Sequence, residues 1–295
     1  MPKVAANGLE LEYESFGEAS APTILLIMGL GAQLVHWPED FCRVLVAAGY
    51  RVIRFDNRDA GLSSRVASGP VRLLRAGIRS RLGLQVEAPY TLDDMAADAL
   101  GLLDALGIRR AHLVGASMGG MIAQLLAARH GERVDSLTLI MTTSGHRRLP
   151  QVGAALGLRL LRRPEGRDRE SQIRHSMRTW RLIGSPAFPT EEALLRQKVE
   201  RAYDRAHDPR AVARQTLAIL ASGSRTRVLN RITARTLVIH GDRDPLVPPA
   251  AGPDLARRIA GAHLEMIAGM GHDLPPQLVP RLAGLILKHT AAAAA

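Results

Sequence analysis

Cysteine is nearly absent. Cys42 stands alone in 295 residues, so neither an intramolecular disulfide framework nor a thiolate metal cluster can form. It falls in Phe41-Cys-Arg-Val-Leu-Val, a helical pattern in which a buried structural thiol is expected. Aromatic residues make up only 3% of the chain, against 46% hydrophobic residues in total. The core must therefore be large but built mostly of Leu, Ile, Val and Ala. No stretch approaches the roughly 20 apolar residues of a bilayer-spanning helix, and Met1-Pro-Lys-Val-Ala-Ala-Asn-Gly lacks the apolar run of a secretion signal. A cytoplasmic protein with no membrane partner is expected. There is no His-Glu-x-x-His motif or paired-carboxylate spacing, and the glycine-rich loops lack the Lys-Ser/Thr of a phosphate-binding loop. Neither a metal nor a cofactor is expected.

The formal charge of +11 is unevenly placed. Residues 145–230 hold 18 basic against 8 acidic side chains, and residues 65–88 hold five arginines against one glutamate. These segments carry no interleaved aromatics and no recognisable binding motif, so nucleic acid is not an expected partner. Two readings remain: a solvated arginine-rich surface, or a field that draws anionic substrates.

Residues 9–16 alternate apolar and polar, the period of a half-buried strand. Residues 23–28 form a continuous apolar run, as expected of a strand covered on both faces. Further strands are predicted at 51–55, 111–114, 134–141, 236–240 and 263–267. Helical patterns lie near 38–48, 71–81, 91–106, 119–130, 250–260 and 277–289. Strands alternating with helices predict an α/β fold with a mostly parallel central sheet and helices on both faces. The gap between 144 and 231 is too long for a simple crossover, and its patterns (152–161, 191–206, 211–221) are helical. Residues 1–143 and 232–295 are thus expected to form the core, with 144–231 as an inserted helical cap.

Within that core, residues 111–114 run into Gly115-Ala-Ser-Met-Gly119 and then into the helical pattern from Met121. This is a Gly-x-Ser-x-Gly turn between strand and helix, which exposes a serine hydroxyl on a strained backbone. The bare pattern is common, so its partners must decide. A serine hydroxyl needs a base within hydrogen-bond reach, oriented by a carboxylate, and in an open α/β sheet such groups follow the carboxyl ends of strands. Two loops qualify. His240-Gly-Asp-Arg-Asp-Pro-Leu-Val-Pro248 offers Asp242 and Asp244, the Asp-Pro-Leu-Val-Pro context favouring Asp244 and leaving Asp242 to stabilise the turn. Ile267-Ala-Gly-Met-Gly-His272 sets His272 behind two glycines.

In order and at these separations, Met28-Gly-Leu-Gly, Asp56-Asn-Arg-Asp-Ala-Gly-Leu-Ser63, Gly115-Ala-Ser-Met-Gly-Gly120, Gly241-Asp-Arg-Asp-Pro-Leu-Val-Pro248 and Gly269-Met-Gly-His272 resemble the α/β-hydrolase superfamily over almost the whole chain. Met28-Gly-Leu-Gly with nearby Trp37-Pro38, and the turn at Asp56, are most similar to the capped serine esterases related to aclacinomycin methylesterase. The resemblance implies an α/β-hydrolase fold with Ser117 as nucleophile, His272 as general base and Asp244 as its orienting acid. It also implies an oxyanion hole formed by the backbone N–H groups of Leu30 and Met118. Two positions depart from the common pattern: Met28 stands where many members have histidine, and Asp59 where many have glycine.

His36 and Trp37 follow the oxyanion loop and either line an acyl pocket or serve ordinary packing. Asp56, Arg58 and Asp59 read as an ion-pair network holding their turn. The expected activity is cofactor-free cleavage of a small-molecule carboxylic ester, with an anionic substrate favoured if the basic segments flank the entrance. Carbon–carbon bond hydrolases share the Gly-x-Ser-Met-Gly-Gly turn and remain an alternative, as does a non-catalytic ligand-binding relative. Epoxide hydrolases and haloalkane dehalogenases, which carry aspartate where this chain has Ser117, are disfavoured.

Overall fold

The computed structural model describes residues 2–160, 162 and 164–293. In chain order it contains β1 (Lys3–Ala6), β2 (Leu9–Phe16), β3 (Thr23–Ile27), α1 (Glu39–Ala47), β4 (Arg51–Phe55), α2 (Leu73–Arg81), α3 (Leu92–Ala105), β5 (Ala111–Ala116), α4 (Met118–Arg129) and β6 (Val134–Ile140). There follow α5 (Ala154–Leu160), α6 (Arg169–Ile183), α7 (Glu192–Arg205), α8 (Pro209–Ser222), β7 (Arg235–Gly241), α9 (Ala251–Arg258), β8 (His263–Ile267) and α10 (Val279–Ala291). Leu161, the end of one predicted helical pattern, lies outside the described residues. Among the described residues no helix is long and apolar enough to cross a membrane.

The strands form one sheet in the order β1-β2-β4-β3-β5-β6-β7-β8. β1 and β2 make an antiparallel edge, and every pairing from β4 to β8 is parallel, so the expected mostly parallel sheet is borne out. β3 shows why its sequence is apolar throughout. Leu25 and Ile27 pack toward α3 and α4, while Ile24 and Leu26 pack toward α1 and α10. A strand covered on both faces has no solvated side on which to place polar residues. Cys42 is fully buried on the α1 side, and burial pushes its thiol up to about 11, as expected of a structural cysteine.

Two elements are additional to those read from the sequence. β1 has four residues and pairs Val4 with Leu11, too short a run for its periodicity to stand out. α6 is capped by Asp168, which accepts the N–H of Ser171 at 2.9 Å. Its apolar stripe, Ile173, Met177 and Trp180, is narrow and packs on Leu195, Val199 and Tyr203 of α7. A helix whose apolar face packs mainly on one other helix needs little apolar surface, so charged residues dominate its sequence.

The turn after β4 is held by polar contacts. Asp56 accepts from the N–H groups of Leu34 (2.7 Å) and Leu62 (2.9 Å) and pairs with Arg205 (2.6 Å). Arg214 grips both oxygens of Asp59 at 2.7 and 2.8 Å, and the Tyr90 hydroxyl donates to the same carboxylate. Arg58 is bidentate to Asp98 at 2.5 and 2.6 Å, with both residues buried. Removing one member of such a pair leaves a desolvated charge. Asp98→Ala is expected to lower the unfolding free energy by about 3–5 kcal/mol, measured as a shift in the urea midpoint at unchanged slope.

Candidate active site

Ser117 is the hinge between β5 and α4, with φ 55° and ψ −119°, a left-handed conformation that costs a non-glycine residue about 1–3 kcal/mol. Its N–H donates to Ile140 O at 2.9 Å, and its carbonyl accepts from Thr142 Oγ1 at 2.6 Å. The flanking glycines have a steric cause. A Cβ on Gly115 would lie 2.4 Å from Gly119 O, and one on Gly119 would lie 2.0 Å from Ile27 O. The start of α4 is thus pressed against the ends of β5 and β3, which puts the serine at the carboxyl edge of the sheet.

The loops after β7 and β8 meet it there. His272 Nε2 lies 2.9 Å from Ser117 Oγ, and His272 Nδ1 lies 2.7 Å from Asp244 Oδ2. Asp244 is 3% exposed, and its other oxygen accepts the N–H groups of Leu246 and Val247 at 2.9 and 2.8 Å, which orients the carboxylate toward the histidine. Asp242 instead accepts from Gly269 N at 2.6 Å, so it ties the two loops together, and it is Asp244 that bonds His272. His240, on β7, bonds Val247 O at 2.9 Å, and burial lowers its pKa. It supports the Asp244 turn as a neutral donor.

The loop after β3 closes the third side. Gly29 passes so near that a Cβ there would lie 3.0 Å from Ser117 Cβ. Asn57 Nδ2 holds Met28 O at 2.9 Å, and the Gln215 side chain of α8 accepts from Gly31 N at 2.8 Å. These contacts are the loop support in a chain that carries Met28 where many relatives have histidine. Leu30 lies between the two tethered residues and is 39% exposed. Met118 is the first residue of α4, so its N–H has no acceptor four residues back in the helix.

The two candidate pocket residues part company. His36 is half-buried and stacks on Trp180 of α6 with ring centroids 5.6 Å apart. Trp37 is 0% exposed, stacks on Phe41 and belongs to the core between the sheet, α1 and α10. Of the two readings the sequence left open for Trp37, its enclosure favours ordinary packing. Among the described residues no cluster of His, Cys, Asp or Glu could hold a metal ion.

Several residues at the site carry no sequence signal. The His272 N–H donates to Ile183 O at 2.7 Å, and Gly271 N donates to Ser185 Oγ at 2.8 Å. Ser185 in turn bonds Asp273 Oδ1 through its hydroxyl and its N–H. Burial raises the Asp273 carboxyl above its ordinary value, and the Ser185 bonds oppose that shift. The histidine loop is therefore clamped to the α6–α7 connection, and backbone acceptors in a loop of no fixed pattern leave no motif to read.

The model of the α/β-hydrolase fold matches residues 22–276. The chain belongs to this family. It is 32% identical to rhodomycin D methylesterase of Streptomyces peucetius over 98% of each chain, which bears out the expected likeness to the methylesterases. It is 30% identical to a 2-hydroxy-6-oxononadienedioate/2-hydroxy-6-oxononatrienedioate hydrolase of Cupriavidus pinatubonensis, covering 86% of this chain and 81% of that one. Among solved structures, the enol-lactonase from Burkholderia xenovorans LB400 superimposes with a TM-score of 0.74 at 26% identity, over 98% of this chain and all of that one.

Two glycines test the packing at the serine turn. Gly119→Ala is expected to destabilise the fold by about 1–3 kcal/mol or more, as overpacking against backbone does. Gly157→Ala, in a helix and with nothing within 4 Å of the new methyl, is expected to stabilise by roughly 0.5–1 kcal/mol. Urea midpoints of the two variants read the contrast.

Proposed function

We propose that this chain hydrolyses carboxylic esters through an acyl-enzyme on Ser117. The observation that carries the reading is the unbroken relay from Ser117 Oγ through His272 to Asp244, with links of 2.9 and 2.7 Å. His272 Nε2 accepts the hydroxyl proton as Oγ attacks the ester carbonyl, and Asp244 stabilises the resulting imidazolium and fixes its orientation. The backbone N–H groups of Leu30 and Met118 receive the developing oxyanion, where one such donor is worth about 3–4 kcal/mol. The imidazolium returns its proton to the departing alcohol. Water, deprotonated by the same histidine, then attacks the acyl-enzyme and releases the acid and free Ser117. Ser117→Ala is expected to reduce kcat on a p-nitrophenyl ester by at least about 10,000-fold with the fold unchanged by circular dichroism. Retained activity would rule out the assignment.

Residues 144–231 serve, in this reading, as a cap over the carboxyl ends of the strands, with 1–143 and 232–295 as the core. Its support is that the insertion touches loops on both sides of Ser117: Ile183 O at His272 and Gln215 at Gly31. A charge within the cap that no acid pairs supports a substrate class. The arginines of α6 and α7 are paired with acids, among them Arg169 with Asp204, Arg178 with Glu165 and Arg196 with Glu170. Lys198 of α7 has no hydrogen bond or ion pair among the described residues. It shares a helix face with Ala202 and Arg205, which bond the Gln33 side chain. Burial lowers its pKa, and the charge of Asp273 opposes that shift. An ester carrying a carboxylate away from its scissile bond suits this ammonium. Lys198→Met is expected to raise KM for such an ester roughly 10- to 100-fold, the usual weight of a charge-assisted hydrogen bond. KM for a neutral ester should barely change, and Lys198→Arg should restore most of the loss.

The relative from Cupriavidus favours a second reading, carbon–carbon bond cleavage by the same groups. Comparing turnover of a meta-cleavage product with that of a p-nitrophenyl ester separates the two.

A further inference from the structure

The segment between Asp59 and Glu87 contains no acidic residue, and α2 lies within it. One face of α2 is part of the fold: Leu73 and Ala76, with Val86, pack on Leu217, Leu220 and Ala221 of α8. The opposite face is not covered. Leu74 is 81% exposed, Ile78 53% and Leu82 69%, and their spacing of four residues sets them in one stripe along the helix. Leu84, 51% exposed, extends it. Arg75 and Arg81 border the stripe, with Arg72 and Arg79 beyond them. None of these four arginines has a carboxylate partner among the described residues. Arg79 donates to the carbonyl of Gln85 at 2.7 Å. Arg147 adds to the same surface, its guanidinium lying 2.6 Å from where a Cβ on Gly83 would stand. α6 and α7 are the internal contrast, since there the arginines are matched with glutamates and aspartates.

We propose that the exposed face of α2 docks on the surface of an anionic phospholipid bilayer. A single row of long aliphatic side chains on a convex helix, bordered on both sides by unpaired guanidinium groups, is the composition of a helix lying in the headgroup region. The leucines enter the acyl boundary while the arginines meet lipid phosphates, each basic residue strengthening binding roughly fivefold. A protein-binding stripe would be expected to place aromatic residues at its centre, and this one has none. The surface modifies the expectation of no membrane partner, which rested on the lack of a spanning segment; a helix lying on the membrane needs none. α2 rests on α8, and Gln215 of α8 holds the loop beside Ser117. Given the proposed esterase, docking would bring the site close to esters dissolved in the bilayer, although binding does not depend on that activity.

The test is co-sedimentation of the full chain with vesicles of phosphatidylcholine alone or mixed with phosphatidylglycerol. Binding to the mixed vesicles only, weakened by salt, is expected. Leu74→Ser/Ile78→Ser/Leu82→Ser should weaken it roughly tenfold or more, and Arg72→Gln/Arg75→Gln/Arg81→Gln on the order of 100-fold. Circular dichroism and hydrolysis of a water-soluble ester should be unaffected in both variants. Two outcomes overturn the proposal. One is failure of the wild-type chain to bind anionic vesicles, which would leave an acidic protein as the occupant to seek. The other is full binding by the leucine variant alongside loss in the arginine variant, which would reduce the effect to net charge.

Discussion

The close approach of α4 to the end of β3 is the constraint on which the rest of the site depends. Position 119 calls for glycine, because a Cβ there would fall 2.0 Å from Ile27 O and force the backbone to shift. That approach permits the sharp turn at Ser117, and the turn in turn forces its backbone to a positive φ. The strain is borne by the parallel sheet, where Ile140 O accepts the Ser117 N–H, and by the Thr142 hydroxyl, which donates to the Ser117 carbonyl. A flexible loop could not hold a hydroxyl 2.9 Å from an imidazole whose own position is set by a different strand. Rigid elements converging from β3, β5, β7 and β8 supply the geometry, and the loops between them supply the reactive groups.

The segment between β6 and β7 takes part in this arrangement. Arg205, Arg214 and Gln215 reach from α7 and α8 into the turns after β3 and β4, and Ile183 and Ser185 reach the histidine loop. Buried charge pairs of this kind add little net stability but disfavour any arrangement that separates them. They hold α7 and α8 in one register against the turns after β3 and β4. The arginine excess therefore divides into two kinds. Arginines of α6 and α7 are matched with acids, whereas those of α2 have no carboxylate partner among the described residues and stand beside exposed leucines.

The sheet and the serine turn were legible in the sequence because each rests on local rules: doubly covered strands read as apolar runs, and a strained turn demands glycines. Asp244 and His272 were legible because each follows its own strand within a short, glycine-marked loop. Trp37 shows the opposite case. Its place after the loop of Leu30 suggested a pocket, yet one residue of register turns it into the core behind α1 while His36 faces α6. α6 was hidden by its charged sequence, which reflects an apolar face that packs mainly against α7. Gln215, Ile183 and Ser185 were beyond reach for a common reason: their contacts depend on how the helices between β6 and β7 dock, and that is set by contacts more than a hundred residues distant in the case of Gln215 with Gly31.

The central claim, that Ser117 is the group His272 and Asp244 activate, is tested most directly by covalent capture. A fluorophosphonate reacts only with a serine hydroxyl made nucleophilic by its surroundings, and mass spectrometry of the digested protein locates the adduct. One adduct on Ser117, formed far more slowly in His272→Ala, is the predicted result. No adduct, or one on Ser144 or Ser185 with Ser117 untouched, would contradict it.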